Sequence, residues 1–277
     1  MEMFAIAVLA GLLVGVLSGL FGIGGGTIMV PLFRLAFGLP PIGATATSLF
    51  TVIPTSLSGL VKHVKNKTTI PKLGIAAGLA GAVMSPVGVL AASKSPGWAI
   101  MGATAAVLCY SSCTMFSKGI RKLRSDRAQA AGCPTPENTK LTCTEGVVAE
   151  TFSLTKDAVW KVVLIGAFAG LVGGYVGVGG GFVMVPMFIS VLGISMRLAS
   201  GTSLIAVCIL ALPGAIEQAV LGNIHYTIGL AMIVGSMPGS YLGATLVKRV
   251  PEAALRIMFA CFLMVVAVIL LVNEVLV

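Results

Sequence analysis

Charge is what this chain has least of. Charged residues make up 10% of its 277 residues and hydrophobic ones 57%, with a mean hydropathy of +1.05. That balance excludes an ordinary soluble globular protein and reads as an all-α polytopic membrane protein. Acidic groups are scarcer still: of nine Asp and Glu, only Glu217 falls inside an expected span, and it sits near the end. Cation pumps and metal permeases commonly rely on buried carboxylates or histidines as ligands and proton relays, so a cationic substrate is disfavoured. A membrane-embedded enzyme is disfavoured for the same reason, since no His/Asp/Glu constellation stands in the spans to supply a nucleophile or hold a metal. No metal site and no cofactor is expected. Six cysteines give no framework. Cys109, Cys208 and Cys261 lie in spans as small hydrophobes and Cys113 ends one, while Cys133 and Cys143 alone fall short of a four-ligand site.

The basic excess has a simple cause. A net charge of +9 would suggest nucleic acid in a soluble chain, but here Lys and Arg cluster in short loops between apolar runs. Membrane topology accounts for them without a nucleic-acid partner. Met1-Glu2-Met3 supplies no basic n-region and no small-residue cleavage pattern follows, so the first segment reads as retained rather than as a signal peptide.

What the chain does have is a doubled glycine motif. Gly22-Ile23-Gly24-Gly25-Gly26, followed by Thr27-Ile28-Met29-Val30-Pro31, recurs 155 residues later as Gly177-Val178-Gly179-Gly180-Gly181, followed by Phe182-Val183-Met184-Val185-Pro186. Over 9–49 against 164–204 there are 17 identities in 41 gapless pairs, so the chain is a duplication. Each glycine is about 1 kcal/mol worse than alanine in a helix, and unwound backbone at membrane depth is tolerated only inside protein or along a watery cavity. Paired interruptions at matching places in two halves point to a transporter's binding site. Close helix packing through small residues is the competing explanation, and it is preferred for Gly11, Gly15, Gly19, Gly166 and Gly170.

Apolar runs place the interrupted segment at 3–37, with further helices at about 42–61, 73–92 and 97–117. The second half repeats the order at 158–192, 198–221, 225–247 and 253–273. The domains are therefore a first transmembrane repeat at 1–117, a basic linker at 118–157 and a second repeat at 158–277. The linker opens with Lys118, Arg121, Lys122, Arg124 and Arg127 and belongs in the cytoplasm, as do the lysines at 62–72. In the second half the bias reverses, because the loop at Gly222-Asn223 has no basic residue while Lys248, Arg249 and Arg256 flank the next. Reversed bias implies inverted repeats. A 35-residue segment would measure about 52 Å as one helix at 1.5 Å per residue, against about 30 Å of hydrocarbon. The expectation is a glycine-broken helical hairpin in each half followed by three transmembrane helices, with both termini outside the cell. Eight simple spans with both termini inside is the alternative.

An anion can be held here without Lys or Arg. N–H groups at a half-helix N-terminus carry about +0.5 charge and point at a ligand. The candidate substrate-binding residues are Gly22, Gly24, Gly25, Gly26, Thr47 and Ser48, with their counterparts Gly177, Gly179, Gly180, Gly181, Thr202 and Ser203. For the hydroxyls, helix capping or back-bonding to the previous turn is an equally open reading. Candidate coupling or gating residues are His63, which titrates near physiological pH, its counterpart Gln218, Glu217, and the mid-span prolines Pro54 and Pro213. Against coupling, a single histidine beside a lysine-rich turn is more often a plain interfacial residue.

Both glycine motifs are followed by Thr-Ser-Leu, as Ala46-Thr47-Ser48-Leu49 and Gly201-Thr202-Ser203-Leu204, and then by Leu57-Ser58-Gly59 and Leu212-Pro213-Gly214. In this doubled pattern the whole chain resembles the sulfite exporter TauE/SafE family, also called the toluene-sulfonate uptake permeases. The resemblance implies a plasma-membrane permease for sulfite, sulfonates or related sulfur or carboxylate anions. The reading is a secondary transporter of such a small anion, bound between the glycine turns, with protons as a candidate coupling ion that the sequence does not fix. An anion channel is the alternative, and a membrane-embedded enzyme a more distant one.

Overall fold

The computed structural model describes residues 2–130 and 156–276. The first half contains α1 (Glu2–Phe21), α2 (Gly26–Leu35), α3 (Pro41–Lys65), α4 (Pro71–Lys94) and α5 (Gly97–Ala130). The second contains α6 (Lys156–Val176), α7 (Gly181–Val191), α8 (Met196–Val220), α9 (Tyr226–Leu246) and α10 (Glu252–Leu276). Among the described residues six of these helices are long and apolar enough to cross a membrane, and α2 and α7 are short apolar pieces. Local chemistry sets the boundaries. Pro41 and Pro71 open α3 and α4, where a missing N–H costs nothing, and the Ser195 hydroxyl caps α8 by accepting from Leu198 N at 3.4 Å. The basic run from Lys118 lies on α5, which continues to Ala130. The polar segment therefore starts as helix, as its Lys, Arg, Leu, Ala and Gln favour. Cys133 and Cys143 lie outside the described residues.

Polarity is distributed as lipid requires. Leu79, Val83 and Leu90 on α4, and Leu9 and Leu13 on α1, are exposed, whereas Ser48, Thr51, Thr55, Ser200 and Ser203 are buried. At the centre α3 and α8 cross. Leu49 meets Gly214, Ile53 meets Cys208 and Gly59 meets Leu204, so these equivalent helices run antiparallel. By contrast α1 runs parallel to α9: Gly11 faces Met232, Gly15 faces Ser236 and Gly19 faces Ser240. The counterpart pair α6 and α4 is parallel too, through Gly166 on Ala77, Gly170 on Gly81 and Gly174 on Ser85. A Cβ at any of these glycines would run into the partner's backbone, so the small-residue faces are packing surfaces. Helices α5 and α10 pair antiparallel, with the Ser112 hydroxyl donating to Ala260 O at 2.7 Å and Gly119 lying on Ile257.

These directions fix which ends of the helices lie together. The Asn66 amide group on α3 donates to Ala244 O near the end of α9, and Thr55 bonds Ser236 at 2.6 Å, so α3 and α9 are parallel. Since α1 shares that direction, the chain between α1 and α3 turns back on itself through α2. In the second half the same holds for α6, α7 and α8. One end of the bundle gathers Lys62, Lys65 and Lys67 with Lys72, the end of α5, the start of α6, and Arg197 beside Lys248 and Arg249. At that end Met196 N donates to Glu252 Oε1 at 3.0 Å, Arg197 donates to Val250 O at 3.0 Å, and Arg256 pairs with Glu252 at 2.5 Å. Of the described Lys and Arg, only Arg34 and Lys94 lie elsewhere.

Candidate functional site

The two glycine turns meet at the α3–α8 crossing. Gly24 and Gly179 both face Val52 and Val207, which lie at the middle of α3 and of α8. Gly26 lies on the backbone of Val178, and Gly181 on that of Ile23, so each turn packs on the other in equivalent fashion. Gly22 is seated on Ser200 of α8 and Gly177 on Thr45 of α3. Every residue from Gly22 to Gly26 and from Gly177 to Gly181 is buried. Gly24 and Gly25 have φ of +74° and +86°, and Gly179 and Gly180 of +77° and +69°, a left-handed path that other residues rarely take.

This path breaks the hydrogen-bond ladder. Gly22 N–H still donates to Ser18 O at 2.8 Å, and Met29 N–H already donates to Gly25 O at 3.1 Å as α2 begins. Between them, among the described residues, no carbonyl accepts from the amides of Gly24 and Gly25. The same holds at Gly179 and Gly180, bracketed by Gly177 N–H to Gly173 O at 2.9 Å and Met184 N–H to Gly180 O at 3.1 Å. Buried amides without an acceptor are rare in proteins. Here they sit at the N-termini of the half-helices α2 and α7, where the helix dipole adds positive potential. Among the described residues, those nearest the turn glycines include no Lys or Arg.

The predicted hydroxyls divide by role. Thr47 Oγ1 accepts from His225 N at 3.0 Å, and Thr202 Oγ1 accepts from Ile70 N at 3.0 Å. Ser203 donates to Gly22 O at 2.6 Å and Ser48 reaches Gly26 O at 3.5 Å, so both serines brace carbonyls of the first turn. Sequence reasoning missed Ser18, Thr27 and Ser56, three fully buried hydroxyls at that same turn, the first two with no hydrogen-bond partner and Ser56 with only the Cys208 thiol beside it. The available signal was a hydroxyl in an apolar span with an apolar or glycine counterpart in the other half.

The proposed coupling residues lie apart from the turns. His63, in the last turn of α3, is fully buried. Its Nε2 is 2.9 Å from Gly19 O, which only accepts, so Nε2 carries the proton, and Nδ1 is 2.8 Å from Thr68 Oγ1. At the equivalent place Gln218 Oε1 accepts from Asn223 Nδ2 at 2.8 Å. Glu217 is half-buried, with Oε2 shielded and without a hydrogen-bond partner, while its counterpart Lys62 lies over the Tyr241 ring at 5.1 Å. Pro54 and Pro213 are inside α3 and α8. An apolar groove of about 490 Å³ between α5, α6 and α7, lined by Tyr110, Phe168 and Met187, lies away from the turns. Among the described residues no group of His, Cys, Asp or Glu is placed to hold a metal ion.

Known proteins resemble this chain over most of its length. A family model described as sulfite exporter TauE/SafE matches residues 7–270. Two Bacillus subtilis (strain 168) proteins match over most of their length. Probable membrane transporter protein YdhB is 26% identical over 244 residues, covering 88% of this chain and 90% of its own. Probable membrane transporter protein YjnA is 26% identical over 268 residues, covering 93% and 96%. Probable membrane transporter protein MJ0441 of Methanocaldococcus jannaschii is 36% identical over 83 residues, covering 28% of this chain and 31% of its own. No solved structure matches the chain. With the family model spanning nearly every described helix, this chain belongs to the sulfite exporter TauE/SafE family and is a multi-pass membrane transporter, not an enzyme.

Proposed function

We propose that this transporter is a secondary carrier for a small anion, with sulfite or a sulfonate as its substrate class, and that the anion is held between the two glycine turns by backbone N–H groups. The observation that carries the reading is the pair of abutting, buried turns with unpaired amides at Gly24, Gly25, Gly179 and Gly180. Half-helix N-termini facing the centre supply positive potential without a basic side chain.

The antiparallel crossing of α3 and α8 supports inverted repeats, since these helices are equivalent in sequence. By the positive-inside rule the basic end is cytoplasmic and both termini are outside. The turns touch through Gly26 on Val178 and Gly181 on Ile23, so an anion enters only when one hairpin moves against the other. Such motion is alternating access. Pro54 and Pro213 each remove a backbone bond within the crossing helices and are the places where that motion bends the chain. We assign His63 to locking the 66–70 turn rather than to a proton relay, because Gln218 and Asn223 make the corresponding lock without a titratable group.

Counterflow tests the reading. Proteoliposomes preloaded with unlabelled sulfite should take up radiolabelled sulfite faster and above its equilibrium level, with transient overshoot. Flux without overshoot means a pore, and no protein-dependent flux of sulfite or methanesulfonate removes the proposed substrate class.

A further inference from the structure

The turns are equivalent in sequence but not in surroundings. At the first turn, Ser56 Oγ lies 2.7 Å from where a Cβ on Gly24 would stand, and Ser18 Cβ lies 3.5 Å from the corresponding position on Gly25. Thr27 follows Gly26 in the first turn of α2. All three hydroxyls are fully buried; Ser18 and Thr27 have no partner, and Ser56 has only a weak one. The polar neighbour of Ser56 across the crossing is the Cys208 thiol, a weak hydrogen-bonding group that leans toward Ile53 O at 4.0 Å. At the second turn the equivalent positions are Gly173, Phe182 and Ala211, which carry no hydroxyl. Farther along α3, Thr51 and Thr55 likewise face apolar counterparts, Ala206 and Leu210.

A buried hydroxyl without a partner opposes folding, so its presence calls for something that pairs with it. Ser85 and Ser240 are also unpaired, but they are equivalent across the halves and sit against Gly214 and Gly59, so they do not distinguish one turn from the other. Ser18, Thr27 and Ser56 do.

We infer that the anion is bound from one side: Ser18, Thr27 and Ser56 donate to its oxygens at the first turn, while the second turn, with Gly173, Phe182 and Ala211 at the equivalent positions, offers backbone amides and no such hydroxyl. This rests on the turns being the binding site. Donors on one face suit an oxyanion that shows its oxygens on one face. Pyramidal sulfite does so, and so does an alkylsulfonate, whose fourth substituent is apolar. Tetrahedral sulfate turns its fourth oxygen away from these hydroxyls, to the side where Phe182 and Ala211 stand in place of Thr27 and Ser56.

The test is a thermal-shift titration of the purified full-length protein in detergent against sulfite, methanesulfonate and sulfate. Wild type should respond to sulfite and methanesulfonate at concentrations about tenfold or more below those needed for sulfate. Ser18→Ala, Thr27→Val and Ser56→Ala should each need about tenfold more sulfite or methanesulfonate, the loss of one hydrogen bond to a charged group. Without ligand the melting temperatures of Ser18→Ala and Thr27→Val should be unchanged or higher, because no intramolecular bond is removed, and Ser56→Ala should lose little, since only a weak contact with a thiol goes. A merely structural hydroxyl would give the reverse pattern, with lower stability and an unchanged response. Equal response to sulfate, or unchanged titrations in all three variants, overturns one-sided binding. If those variants respond normally while Gly25→Val does not, the turns remain the site and only this inference fails. If wild type responds to none of the probes, both readings fall.

Discussion

The amide of His225 donates to the hydroxyl of Thr47 at 3.0 Å. The same bond recurs from Ile70 N to Thr202 at 3.0 Å, so each half of the chain caps a helix of the other. His225 and Ile70 are the N-cap residues of α9 and α4, where no side chain of their own satisfies the helix start. Thr47 and Thr202 therefore join the halves.

Replacing either threonine by valine keeps its shape and deletes the acceptor. Each variant should lose about 1–3 kcal/mol of stability, the cost of leaving a shielded N–H unpaired, with the ligand response retained. Unfolding in detergent and sulfite thermal shift measure the two effects separately. A stable Thr202→Val that no longer responds to sulfite would move this hydroxyl to the substrate.

Topology is predicted from the ends of α3 and α9. In a background freed of native cysteines, a cysteine at Asn66 should react only from the cytoplasm and one at Asn223 from outside. Labelling of both from the same side contradicts the inverted arrangement.

The His63 ring bridges Gly19 O and Thr68, and Gln218 bridges to Asn223 in the other half. His63→Gln should therefore keep transport and its pH dependence, while His63→Ala should lose stability, because Gly19 O loses its ring donor and only the Thr68 bond to the carbonyl of residue 63 remains. Loss of pH dependence in His63→Gln would restore the ring as a proton relay.

Much of this architecture is legible from residues alone. The duplication is visible because the glycines and prolines stay in register, and the packing faces of α1 and α6 because glycines recur every four residues. The start of α5's basic extension was harder to place, because charge mimics a linker even where Lys, Arg and Ala continue a helix. The roles of Thr47 and Thr202 depend on which helix start lies opposite, and nothing local encodes that. Ser18, Thr27 and Ser56 escaped for another reason: comparing the halves draws attention to what they share, and these hydroxyls belong to one half only.

Two glycines outside the turns separate packing from helix propensity. A Cβ on Gly102 meets nothing within 4 Å, so Gly102→Ala should stabilise α5 by up to about 1 kcal/mol. A Cβ on Gly15 would strike the Ser236 carbonyl, so Gly15→Ala should force α1 from α9 and lower the melting temperature sharply. Similar stability for the two variants would contradict the α1–α9 contact.

If the turns bind the anion, Gly25 is the position where one added side chain shows it most cleanly. A Cβ there meets Met29 Cε at 3.3 Å and Val14 Cγ1 at 3.4 Å, both yielding side chains, whereas one on Gly180 strikes Ala169 O at 2.5 Å. The φ of +86° at Gly25 adds a strain of roughly 1–2 kcal/mol for any other residue, which leaves room for a folded variant. Equilibrium binding of radiolabelled sulfite to purified wild type and to monodisperse Gly25→Val should show binding in the first and none in the second. A folded Gly25→Val that binds sulfite with wild-type affinity would contradict the account.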